Sequence, residues 1–151
     1  MRFICDAMLG KLAKYLRIFG LDTLYSPKNI NPEDYSTEAE PPFIFTRQQI
    51  NQHKYGRLMH IKSDHVHEQL EEIKDLIKPY INRGNIMKRC IECNTPLIDT
   101  VREEVEQFVP EFVFHNNQRF KRCPACKKVY WQGSHSKHMM KCVNRMLDEK
   151  D

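Results

Sequence analysis

No stretch of this 151-residue chain is long and apolar enough to span a bilayer, which excludes a helical membrane protein. No secretion leader is expected either: Met1-Arg2-Phe3-Ile4-Cys5-Asp6 meets an acid at once, where a leader would continue apolar. There is no internal repeat and no low-complexity segment, which sets aside solenoids and compositionally biased tails. Finally, Asp and Glu are missing from Phe112 to Leu147, although Arg119, Lys121, Arg122, Lys127, Lys128, Lys137, Lys141 and Arg145 all fall there. A net charge of +4 is mild, but its placement is not: Asp99, Glu103, Glu104, Glu106 and Glu111 stand just ahead of the acid-free stretch. A hydrophobic content of 40% with 29% charged residues describes a globular chain, not a disordered one.

What is present is dominated by cysteine. Arg89-Cys90-Ile91-Glu92-Cys93-Asn94 is answered by Arg122-Cys123-Pro124-Ala125-Cys126-Lys127. In a C-x-x-C turn the two-residue gap lets both sulfurs face a common centre, and two such turns complete a tetrahedral four-sulfur site that suits Zn²⁺. Cys90, Cys93, Cys123 and Cys126 are therefore the expected metal ligands. Four thiolates leave no position for a substrate water, so the zinc is expected to be structural. Iron is the alternative occupant, and free dithiols or disulfides are the metal-free readings. Clustered cysteines without a leader predict a reducing, cytoplasmic setting. Cys5 and Cys142 are left over, and Cys5 sits in an apolar run as a small core residue.

Along the chain, residues 2–5 and Leu21–Tyr25 predict short strands around a helix with Met8, Leu9, Leu12, Ala13, Leu16 and Phe19 on its apolar face, stopped by Gly20. Asn31 is expected to cap a short helix with Pro32 in its first turn, ended by Pro41-Pro42. Phe43–Phe45 is a third strand, followed by a helix of about two turns from Gln48 towards Lys54. Leu58–Ile61 is a fourth strand, with Ser63 or Asp64 capping a helix that carries Val66, Leu70, Ile73, Leu76 and Ile77. Strands alternating with helices predict an α/β domain with a parallel sheet over residues 1–82. Asn82–Asn85 is the expected hinge, and residues 83–151 the cysteine module. Within that module, Thr100–Gln107 reads as helical, Phe112–His115 as strand-like, Val129–Trp131 as a ribbon strand, and His135–Leu147 as a final helix capped by Gly133-Ser134.

In an open parallel sheet, ligands bind at the carboxyl ends of the strands. Asp6 follows the first strand and begins a helix, so it is either a ligand for Mg²⁺ or Mn²⁺ or a helix cap. Asp64 occupies the same kind of position, with capping preferred, and Asp34 opens a short helix that could face the same cleft. Arg47 after the third strand is a candidate phosphate contact. The second candidate surface is the acid-free stretch, where Arg119, Lys121, Arg122, Lys127, Lys128, Tyr130, Trp131 and His135 interleave cations with rings in the manner an RNA surface needs. Its plainer reading is a ribbon core with solvated charges.

Together these residues resemble the Mut-seven C-terminal RNase domain family, a PIN-like nuclease fold with a zinc ribbon. The resemblance runs through Phe3-Ile4-Cys5-Asp6-Ala7-Met8-Leu9-Gly10-Lys11-Leu12-Ala13-Lys14-Tyr15-Leu16-Arg17, Gly20–Tyr25 and Phe45-Thr46-Arg47. It returns at Arg89–Asn94, Leu97, Phe120, Cys123-Pro124-Ala125-Cys126 and Val129-Tyr130-Trp131-Gln132-Gly133-Ser134-His135. It implies a PIN-like parallel sheet with flanking helices, then a zinc ribbon and a C-terminal helix. It also implies a metal-dependent RNase whose strand-end acids hold Mg²⁺ or Mn²⁺, with Asp6 the first of that set and Glu33, Asp34 or Glu38 in line for the second; if the chain cleaves, Asp34 and Asp64 are the partners expected for Asp6. Two departures stand out: the family pattern has an acid directly after Thr-Arg where this chain has Gln48, and the helix before the third strand is shortened ahead of Pro41-Pro42. Three functions remain in play: a metal-dependent ribonuclease; a non-catalytic module that docks on structured RNA, such as tRNA or ribosomal RNA, through the ribbon and final helix; and, behind these, a protein-interaction adaptor that uses the acidic segment from Asp99 to Glu111.

Overall fold

The computed structural model describes residues 1–49 and 55–148, and these divide into two compact units, Met1–Met87 and Lys88–Asp151. The first unit is built on a four-stranded sheet of β1 (Phe3–Cys5), β2 (Thr23–Tyr25), β3 (Phe43–Thr46) and β4 (Leu58–His60). All neighbours are parallel and the order is β2-β1-β3-β4. The sheet thus grows from β1 in one direction to β2, then crosses back to the other side of β1 for β3 and β4. That reversal places a topological switch point between the carboxyl ends of β1 and β3.

Both faces of the sheet are covered, which is why its strands read as apolar runs instead of alternating. Phe3 stacks on Phe45 at a ring separation of 5.8 Å and meets Tyr80 edge-on. On the other face Ile4 and Ile44 pack with Tyr55, Ile30, Tyr35 and Leu58. Helix α1 (Gly10–Ile18) buries Leu12, Ala13 and Leu16, and α2 (Val66–Ile77) buries Leu70, Ile73 and Ile77, the faces that 3.6-residue periodicity selects. Gly20 ends α1 with φ +85, and a Cβ there would meet the Asn85 carbonyl oxygen at 2.4 Å, so both conformation and space require glycine. Asn31 caps the 3₁₀ turn Pro32–Tyr35 as expected, its Oδ1 accepting from the Glu33 N–H at 3.1 Å. That turn is all that exists of the short helix expected ahead of Pro41-Pro42.

The cap of α2 differs from expectation. The N-cap is His65, which makes no side-chain cap, and Glu72 reaches back to accept from the Lys62 and Ser63 N–H groups at 2.9 Å each. The two-turn helix expected from Gln48 towards Lys54 lies mostly outside the described residues.

The second unit holds an antiparallel sheet of β5 (Ile98–Thr100), β6 (Phe120–Arg122) and β7 (Val129–Tyr130) in the order β5-β6-β7. Between β5 and β6 lie α3 (Arg102–Val105) and α4 (Glu111–Asn116). Their Val105 and Val113 pack with Phe120 and Val129 of the strands to form the core of this unit. The segment Phe112–His115, read from its sequence as strand-like, belongs to helix α4. Pro110 is the N-cap of this helix, its carbonyl accepts from the Phe114 N–H at 3.0 Å, and of the apolar trio Phe112-Val113-Phe114 Val113 alone is fully buried. Helix α5 (Ser134–Met146) closes the unit. Ser136 Oγ accepts from the Gly133 N–H at 2.9 Å and donates to the Gly133 carbonyl at 2.8 Å, which fixes its first turn. Among the described residues no helix is long and apolar enough to cross a membrane.

Candidate functional site

Two sites emerge, one in each unit. In the second, the two C-x-x-C turns fold alike. Cys90 N–H donates to the Thr95 carbonyl and Asn94 N–H to the Cys90 carbonyl, each at 2.8 Å. Cys123 N–H donates to Lys128 and Lys127 N–H to Cys123, each at 2.9 Å. The residue after the second cysteine is left-handed in both turns, Asn94 at φ 67 and Lys127 at φ 70. Asparagine enters that region readily; lysine there is held by the turn around it.

The result is a quartet. The Sγ atoms of Cys90, Cys93, Cys123 and Cys126 all lie within 4.8 Å of one another, and Cys90 and Cys126 are 3.7 Å apart. Tetrahedral bonds of about 2.3 Å to zinc would set sulfurs about 3.8 Å apart, so the spacing fits that ion. The protons are unevenly held. Burial pushes the Cys123 thiol up, but N–H donors of Cys126 and Ala125 and hydrogen bonds from Cys126 and Cys90 outweigh it, bringing Cys123 down to about 7. Cys93 is pushed up to about 12 by its hydrogen bond to Cys126 and by the neighbouring thiols. Four sulfurs so close do not all ionise on their own; a divalent cation is what would let them. This cluster is compatible with a zinc ribbon. Tyr130 supports it: its Oη lies 3.2 Å from Cys90 Sγ and accepts from the Ile91 N–H at 3.0 Å.

In the first unit, Asp6 stands at the switch point. Its Oδ2 accepts from Thr46 Oγ1 at 2.9 Å, at the end of the adjacent strand, and from the Ile30 N–H at 3.4 Å. Its other oxygen, Oδ1, is buried with no hydrogen-bond partner, and the residue is 1% exposed. Burial raises the Asp6 carboxyl above the usual carboxylate range, against the opposing hydrogen bonds from Thr46, Ile30 and Arg47. Asp6 does not cap α1, whose N-cap is Leu9 without a side-chain bond, so the cap reading of this residue is removed. Just after Asp6, Met8 adopts φ 76 while 82% exposed, the kind of backbone outlier that clusters near functional sites.

The other expected acids are placed differently. Asp34 lies exposed in the turn Pro32–Tyr35. Asp64 is exposed and paired with Arg47, whose guanidinium also donates to the carbonyls of Ile61, Lys62 and Ser63 at 3.2, 2.6 and 2.7 Å. Arg47 therefore clasps the loop between β4 and α2. Among the described residues no group of three carboxylates or histidines gathers near Asp6; the cysteine quartet is the one cluster of that size. Asp6 with one orphan oxygen, and Gln48 in place of an acid with its N–H donating to the Thr46 hydroxyl at 3.0 Å, do not make a cage for Mg²⁺ or Mn²⁺, which bind through several acids.

The profile of the Mut7-C RNAse domain matches residues 1–143. The chain belongs to the Mut7-C RNAse domain family. No curated protein and no solved structure gives a match. Membership in the Mut7-C RNAse domain family points to a nuclease or RNA-related role, with RNA as substrate or partner.

The expected RNA-contact residues of this family member are mostly engaged. Lys121 pairs with Asp99 at 2.6 Å, directly across the β5-β6 ladder. Lys128 lies 3.8 Å from Glu92 and over the Tyr130 ring. Arg122 stacks on Phe108, and Lys127 Nζ donates to the Pro124 carbonyl. Arg119 and His135 are exposed, and Trp131 is 37% exposed. Reading by sequence missed two supports, the Thr46 hydroxyl on Asp6 and the Tyr130 hydroxyl on Cys90. Thr46 follows a strand next to a candidate acid, which was the available clue; nothing in the pattern around Tyr130 separates it from an ordinary ribbon core ring.

Proposed function

We propose that this protein binds RNA through its second unit, with Cys90, Cys93, Cys123 and Cys126 holding a structural zinc and the PIN-like unit keeping the nuclease fold without an assembled hydrolytic centre. The observation that carries the reading is the isolation of Asp6: among the described residues no acid trio surrounds it. The acid-free stretch supports RNA as the partner, because cations that keep their head groups exposed, such as Arg119, neutralise phosphates and exposed rings such as Trp131 stack on bases. Structured RNA, tRNA or ribosomal RNA, is the class proposed, and the cytoplasm the compartment. The experiment is fluorescence anisotropy with single-stranded and hairpin RNA over a salt series. Affinity that falls as salt rises supports the reading, and absence of binding, or affinity indifferent to salt, contradicts it.

One observation favours a second reading, metal-dependent cleavage: a buried carboxylate oxygen without a partner is costly and is the atom a cation would satisfy. Calorimetry with Mn²⁺ separates the two. The binding reading predicts no saturable heat that Asp6→Ala removes, and predicts that Gln48→Asp gains some.

A further inference from the structure

We propose that the exposed face of α5 is a contact rail for the phosphate backbone of RNA, carried by Lys137, Lys141 and Arg145. The inference rests on the RNA-binding reading above and says where the charge contacts are made. The three residues are spaced four apart, so they rise about 6 Å per step and drift only about 40° around the helix. All three are exposed, and no described residue holds their head groups by hydrogen bond, ion pair or ring contact. The contrast with the ribbon decides the assignment. There Lys121 and Lys128 face Asp99 and Glu92, Arg122 lies on Phe108, and Lys127 turns back to a carbonyl. Of the cations in the acid-free stretch, Lys121, Arg122, Lys127 and Lys128 are thus committed within the ribbon, and of the four left uncommitted among the described residues, Arg119, Lys137, Lys141 and Arg145, three share one face of α5.

A row of three cations at regular intervals on a rigid helix suits an anion that itself repeats, a polynucleotide backbone, better than a lone phosphate. The opposite face of α5 carries Cys142, Val143 and Met146, 7%, 0% and 1% exposed. That apolar side is already buried within the protein, so α5 cannot lay it into a lipid surface as an interfacial helix does.

The test compares three full-length proteins: wild type, Lys137→Gln/Lys141→Gln/Arg145→Gln, and the charge-matched Lys121→Gln/Lys127→Gln/Lys128→Gln. The probe is a short mixed-sequence single-stranded RNA, and zinc content and circular dichroism verify folding. The α5 variant is expected to lose at least about tenfold in affinity at low salt and to flatten the plot of log K against log salt by about 2, the yield of three single-strand phosphate contacts. The ribbon variant is expected to lose less on both measures. If wild type binds and the α5 variant matches it, or if both variants weaken equally, the rail is overturned and the RNA reading stands. If wild type does not bind RNA, the RNA reading falls and takes the rail with it. If α5 is needed for sedimentation with phosphatidylserine vesicles but not for RNA binding, the assigned partner is wrong and the rail is overturned.

Discussion

The Thr46 hydroxyl donates to Asp6 Oδ2 at 2.9 Å, joining the carboxyl ends of two adjacent parallel strands where the sheet changes direction. Thr46→Val keeps the shape and removes the donor. It is expected to cost about 1–3 kcal/mol, the penalty for leaving a buried acceptor poorly satisfied, read as a lower denaturant midpoint with unchanged slope. A midpoint equal to wild type would show that the bond contributes little.

Asp6 makes stability depend on pH in a direction opposite to most acids. Its folded-state carboxyl is raised above the ordinary 3.8, mainly by burial, so the folded protein favours the protonated form. That contribution is fully present below 3.8 and is lost as pH rises through the raised folded value. Wild type should therefore fall progressively below Asp6→Asn in thermal stability as pH climbs from acid towards neutral, with the two curves drawing together at the acid end. Taking the difference between the two proteins cancels the effect of acid on the cysteine site, which they share. Parallel curves across the range would refute the assigned shift.

Arg47 and Asp64 are bonded to each other, but their removal should differ. Arg47→Ala deletes a charged donor from three carbonyls and is expected to cost about 2–3 kcal/mol in denaturant unfolding. Asp64 is 77% exposed, so Asp64→Ala should cost within about 1 kcal/mol. Equal losses would mean that the ion pair, not the loop clasp, is what matters.

Tyr130→Phe removes the hydroxyl that touches Cys90 and the Ile91 N–H while leaving the ring. Groups that orient metal ligands typically change affinity by about 10–100-fold, and a loss in that range is expected in zinc competition with a chelator. Cys123→Ser, by contrast, should lower zinc content outright and unfold residues 88–148, seen as lost amide-exchange protection there. Full zinc stoichiometry in Cys123→Ser would refute the shared site.

The parallel sheet and the cysteine quartet were legible because each has a local signature: apolar strand runs between amphipathic helices, and paired C-x-x-C turns. The segment between the cysteine pairs was legible only in part: Thr100–Gln107, read as helical, holds α3, but its other pieces were not readable. Strand β5 carries Ile98, which is 51% exposed, so it lacks the buried alternation that marks a strand, and Phe112–His115 has strand-like apolar density yet turns helical behind Pro110. Pairing across a chain separation such as Asp99 to Lys121 leaves no local trace. The site was legible in part. Asp6 was visible from its place after a strand, but its isolation is a three-dimensional fact. So is the engagement of Lys121, Arg122 and Lys128, whose partners Asp99, Phe108 and Glu92 lie far off in the chain; Lys127 alone turns back within its own turn, to the Pro124 carbonyl. Spacing showed which residues are cationic, and folding determined which of them are uncommitted.

The most direct test of the central claim is a cleavage assay on single-stranded and hairpin RNA with Mn²⁺, run on wild type and Asp6→Ala under conditions where both bind. The account predicts bound RNA that stays intact with either protein. Metal-dependent product from wild type, absent with Asp6→Ala, would contradict it.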